Sequence, residues 1–146
     1  DPFREEAFTA EKGKGAFLNG RRLRVTPREE LKESVWGFDM GYVDEKGARA
    51  LRMVLDLWPG MQAIRVMGSS ALSLAYVAAG RLDIYFHHHL YPWDIASGLL
   101  LVEEAGGVVL DRHGQPATLK SESLIASSPV LVRRFLQLTE GMEWRR

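Results

Sequence analysis

The segment from Ser70 to Ala79 carries no charge and reads as a helix that is apolar almost all round. A surface helix keeps a polar face, so one of this kind must be buried between other layers. The chain around it supplies such layers. From Val35 onward the pattern reads strand (35–38), helix (44–58) and strand (63–67), then the buried helix and a strand (82–86). A helix opened by Pro92-Trp93-Asp94 follows and runs to Glu104, then strands at 108–110 and 124–127 and a last helix from Pro129 to about Leu138. In the first helix Ala48, Leu51, Val54, Leu55 and Trp58 recur at three- and four-residue steps and are expected to face the core. This alternation predicts an α/β fold, a layered sheet with helices on both faces.

The first 34 residues do not share that rhythm. Short apolar strings flank glycines, and Asn19-Gly20 lies between extended segments, where both residues accept positive φ. Two or three antiparallel strands are expected over 7–25. Thr26-Pro27-Arg28-Glu29 predicts a short helix ending near Ser34, with Thr26 as cap, Pro27 at the first position and Glu29 reaching back. Gly13-Lys14-Gly15 is turn chemistry, because a phosphate loop needs G-x-x-x-x-G-K-[ST]. The expected division is therefore 1–34, a hairpin and short helix, and 35–146, an α/β domain.

A chain of 146 residues suits one core, and 19 Lys+Arg against 19 Asp+Glu give a formal net charge of zero. Nucleic acid and anionic membrane are disfavoured as main partners, since both are bound with surplus cationic charge. The longest nearly uncharged stretch, 66–79, is interrupted by Gly68, Ser69, Ser70 and Ser73, so no membrane span is expected. There is no cysteine, which removes disulfides, thiolate nucleophiles and sulfur-bound metals. The N-terminal residues carry no secretion-signal pattern, and the expected setting is cytoplasmic.

Two segments could carry chemistry. Asp94 lies at the start of a helix, where its carboxylate meets free N–H groups and the positive end of the dipole, and Ala96, Ser97 and Gly98 leave room for close approach. Glu103 and Glu104, about 14 Å further along the helix, cannot share a metal with Asp94 and are expected to be solvated. Gly68-Ser69-Ser70 joins a strand to the buried helix, and free N–H groups there suit an anion or a hydroxyl ligand. Both segments follow strands, and ligands of open α/β sheets gather beyond the carboxyl ends of strands. In His87-His88-His89 only the first and third would share a face; a third metal ligand would have to come from Asp94 or Asp83, and no H-x-x-x-H pattern supports a closed zinc site.

Taken together these motifs carry a resemblance. Pro92-Trp93-Asp94-Ile95-Ala96-Ser97-Gly98 running into Val102-Glu103-Glu104-Ala105-Gly106-Gly107 is similar to the second signature of the inositol monophosphatase family. Glu6-Ala7-Phe8-Thr9-Ala10, Gly13 to Gly20, Gly68 to Leu72 and Tyr76 to Asp83 match as well, so nearly the whole chain resembles the C-terminal half of that family. The resemblance implies the C-terminal domain of the inositol monophosphatase/fructose bisphosphatase fold and a Mg²⁺-dependent phosphatase acting on inositol or sugar phosphate monoesters. Asp94 would be a metal ligand also placed to hold a substrate hydroxyl, and Gly68, Ser69 and Ser70 would line the pocket. The reaction implied is in-line attack of metal-activated water on phosphorus. A homodimer, or association with an N-terminal half, is the implied assembly.

Two departures qualify this. The family's first signature, Asp-Pro-x-Asp-Gly-Thr with an upstream glutamate, is absent; Asp1-Pro2-Phe3-Arg4 does not supply it. One carboxylate cannot assemble a multi-metal site, so the chain alone is expected to be inactive, and no residue in it is assigned as catalytic. Seven residues before Asp94, inositol-specific members carry a glutamate; here it is His87, which opens the site to other sugar or polyol phosphates. The alternative is a non-catalytic α/β module binding a small polyol or anion.

Overall fold

The computed structural model describes residues 1–146. Strands β1 (Phe8–Glu11), β2 (Gly15–Leu18) and β3 (Arg21–Arg22) form an antiparallel meander. The β2–β3 turn is Asn19-Gly20, with φ of 48° and 80°, the left-handed geometry that this pair favours. Strands β4 (Val35–Asp39), β5 (Ala63–Arg65), β6 (Ile84–His87), β7 (Val108–Leu110) and β8 (Leu124–Ser127) form the main sheet, ordered β5-β4-β6-β8-β7. The β4–β5 and β4–β6 pairs are parallel, whereas β6–β8 and β7–β8 are antiparallel.

Strand periodicity divides the core. Ile84, Phe86 and Ile125 face one side, with Trp36, Phe38 and residues of helices α1 (Asp44–Leu57) and α4 (Pro129–Leu138). Tyr85, Leu124 and Ala126 face the other, against helices α2 (Ser70–Ala78) and α3 (Pro92–Glu104). Helices therefore cover both faces of a mixed sheet, as the alternation predicted. The apolar α2 is sandwiched: the meander residues Ala16 and Leu23 join the same cluster. Gly98 allows α3 to lie directly on α2, since a Cβ there would stand 2.6 Å from Leu74 Cβ.

Three expectations fail, each for a tertiary reason. Residues 26–30 form no helix; only a 3-10 turn at Leu31–Glu33 is present. The Thr26 hydroxyl accepts from Arg28 N at 3.2 Å, and the Arg28 guanidinium donates to both oxygens of the buried Asp83 at 3.0 and 3.1 Å, an anchor that draws the segment across the sheet. Helix α1 is turned from its expected face. Gly47, Ala50 and Met53 are buried, while Leu51, Leu55 and Trp58 are exposed. The small Gly47 sets this rotation, because a Cβ there would stand 2.9 Å from the Met40 carbonyl oxygen. Glu104 is not free in solvent: its two oxygens accept from Gly13 N at 2.7 Å and Gly15 N at 2.8 Å, tying the meander to α3. Those donors hold its carboxyl below the usual glutamate range. Glu103 is exposed, as expected.

Candidate functional site

The parallel part of the sheet decides where a site can form. Strands β4, β5 and β6 run the same way, so Asp39, the turn after Arg65 and His87 emerge at one edge, and Asp39 and His87 are register partners. The N-terminus of α3 comes to the same edge. A cleft of about 430 Å³ opens there, and Gly68, Ser69, Ser70, His87 and Asp94 all line it, together with Asp39. The two segments singled out from the sequence thus share one cavity. No lysine or arginine lines it.

The 67–70 turn is built around a carboxylate that the sequence reading did not single out. Gly68 has φ of 71°, and Ser69 caps α2 by accepting from Leu72 N at 3.3 Å. One oxygen of Asp39 accepts from Met67 N at 3.0 Å and from Gly68 N at 2.7 Å. Its other oxygen accepts from the Tyr85 hydroxyl at 3.0 Å. Tyr85 is fully buried and also lies 3.0 Å from Ser70 Oγ. Burial, then the Asp39 charge, raises the Tyr85 pKa well above its ordinary value, so the phenol keeps its proton. The available signal for Asp39 was an acid directly after the apolar run 35–38, at the carboxyl end of a strand.

His87 is 3% exposed, and its Nδ1 accepts from His89 N at 3.1 Å, so in the neutral ring the proton sits on Nε2. Burial pushes its pKa down to about 4, against the pull of Asp39 and Asp94. His87 and His89 both line the cleft, as their shared face implied, and His88 turns away from it. His88 is buried edge-on against Trp144, with ring centroids 5.9 Å apart, and burial lowers its pKa too. His89 Nδ1 accepts from Lys46 Nζ at 3.1 Å.

Asp94 sits in the first turn of α3 and accepts from Tyr91 N at 2.9 Å with one oxygen, which caps the helix. Its second oxygen has no protein partner. Beside it Trp93 is exposed and stacks on Tyr91, with centroids 4.9 Å apart. Tested as a Mg²⁺ site, the donor set falls short. Both oxygens of Asp39 are already engaged, by three protein donors in all, Asp94 offers one free oxygen, and no three His, Cys, Asp or Glu side chains converge. The residues of this chain do not by themselves form a Mg²⁺ site.

This fold is that of a known class of proteins. The family model described as "Inositol monophosphatase family" matches residues 1–142. An inositol-1-monophosphatase of Mesorhizobium japonicum is 41% identical over 138 residues, 94% of this chain and 52% of the relative. A fructose-1,6-bisphosphatase/inositol-1-monophosphatase of Thermotoga maritima is 42% identical over 130 residues, 89% of this chain and 49% of the relative. The crystal structure of the extragenic suppressor protein suhB from Bartonella henselae superposes with a TM-score of 0.89 at 36% identity, covering 96% of this chain and 54% of that one. A Staphylococcal IMPase-II structure with inositol monophosphate bound superposes with a TM-score of 0.80 at 25% identity, covering 98% of this chain and 54% of that one.

The chain belongs to the inositol monophosphatase family. It spans about half the length of the curated relatives it matches. No helix is long and apolar enough to cross a membrane.

Proposed function

We propose that the cleft receives the hydroxylated part of an inositol or sugar phosphate monoester. In this reading the chain acts as part of a Mg²⁺-dependent phosphatase whose remaining metal ligands lie in the half of its relatives that it does not span. The observation that carries this reading is the polarity of the cleft. A free Asp94 oxygen and the Ser70 hydroxyl stand with a neutral His87 whose Nε2 carries a proton, and no lysine or arginine is present to hold a phosphate. Vicinal hydroxyls both give and accept hydrogen bonds and match such a set. Asp94 would hold a substrate hydroxyl and give one oxygen to Mg²⁺ when the other ligands are supplied. Residues 1–34 would extend a sheet shared with the N-terminal half, and 35–146 would form the C-terminal domain. Pairing with that half, or as a homodimer, belongs to the same reading.

The test is phosphate release from inositol 1-phosphate and fructose 1,6-bisphosphate with Mg²⁺, with and without an added N-terminal half from a relative. Activity is expected only on complementation, and Asp94→Asn should abolish it. A second reading, a non-catalytic α/β module binding a small polyol or anion, is favoured by the incomplete metal set. Tight polyol binding without turnover in either case would establish it.

A further inference from the structure

Asp39, Tyr85 and Ser70 form a chain of hydrogen bonds that ends at the cleft wall. The direction of its protons follows from what each group can do. An ionised carboxylate only accepts, so the 3.0 Å contact between Tyr85 Oη and Asp39 is a bond that Tyr85 donates. A phenol has a single proton, and this one is committed. The 3.0 Å contact between Tyr85 and Ser70 must therefore run the other way, with the Ser70 hydroxyl donating to Tyr85 Oη.

With its proton turned inward, Ser70 presents only lone pairs to the cleft that it lines. We propose that Asp39, acting through Tyr85, fixes Ser70 as a hydrogen-bond acceptor, so that the cleft takes a hydroxyl donor at that point and rejects an acceptor-only group. Asp39 is thus a positioning and specificity-determining residue that need not touch the ligand. It also takes up the Met67 and Gly68 amides, which would otherwise be free for an anion. The selectivity rests on the reading of the cleft as a polyol site; the proton direction does not.

Two measurements separate these. Neutron diffraction from a deuterium-exchanged crystal should show deuterium on Tyr85 Oη directed at Asp39, and on Ser70 Oγ directed at Tyr85. Deuterium on Tyr85 pointing at Ser70 would overturn the relay. Calorimetric binding of myo-inositol 1-phosphate and its single-fluoro analogues to the full-length protein reads the selectivity, because fluorine cannot donate. At least one analogue should bind roughly tenfold or more weaker than the parent.

Asp39→Asn would donate to Tyr85 and so turn the phenol proton toward Ser70, and Tyr85→Phe removes the relay. In both, that discrimination should shrink to a few-fold. Equal binding of every analogue to the unmodified protein, or discrimination unchanged in both variants, would overturn the proposal. If the parent compound does not bind at all, the polyol reading falls and the selectivity with it, while the neutron map still decides the relay.

Discussion

Two aspartates face the same cleft and are held in opposite ways. Asp39 closes a parallel strand, is 7% exposed, and has both oxygens engaged by Met67, Gly68 and Tyr85. Asp94 opens a helix, is partly exposed, and has one oxygen engaged by a single amide. The difference shows how a binding site divides its work. A buried carboxylate with both oxygens engaged shapes the turn, and a half-engaged one at the rim keeps more capacity for a ligand.

The sharpest way to break this contrast is Asp39→Ala. Two turn amides and a buried phenol would lose their acceptor, and the loss of stability should be roughly 3 kcal/mol or more in urea denaturation. A loss below about 1 kcal/mol would mean that Asp39 does not hold the turn.

Acid comes next. His87 has its folded pKa pushed down to about 4 from an ordinary 6.5, so the unfolded chain takes up the proton first as the pH falls. Stability should therefore decline between about pH 6.5 and 4, by roughly 2 kcal/mol at pH 5 relative to pH 7. His88 shifts in the same direction and adds to the decline. Denaturation midpoints at the two pH values check this, and His87→Gln should flatten part of the slope.

Asp94→Ala should be milder. It loses one capping bond at a helix end, about 1 kcal/mol, although under the proposed function the same side chain is essential to activity. Smallest of all is Trp93→Ala, which should stay within about 0.5 kcal/mol by the same denaturation assay, because that ring is 74% exposed and stacks only on another exposed aromatic.

What could be read from the sequence was local chemistry. The apolar α2, the Asn19-Gly20 turn, the caps of α2 and α3 and the glycine at 68 each announce themselves within a few residues. What escaped depends on partners distant in the chain. Asp39 meets Met67 and Gly68 across 28 and 29 residues and Tyr85 across 46, and Glu104 meets Gly13 across 91. Arg28 abandons a plausible helix start for Asp83, 55 residues away. The α1 face was misread because Gly47 and Ala50 carry little weight in an apolar pattern, yet their smallness is what lets the helix pack closely on that side. Site residues named by motif converge in space, but the carboxylate that organises their turn has no motif of its own.

The most direct test is a crystal structure of the full-length protein with inositol 1-phosphate bound. The account predicts polyol hydroxyls against Ser70, His87 Nε2 and the free oxygen of Asp94, with the phosphate directed away from Asp39 and the 67–68 amides. A phosphate seated on those amides, or a ligand bound elsewhere with the cleft vacant, would contradict it.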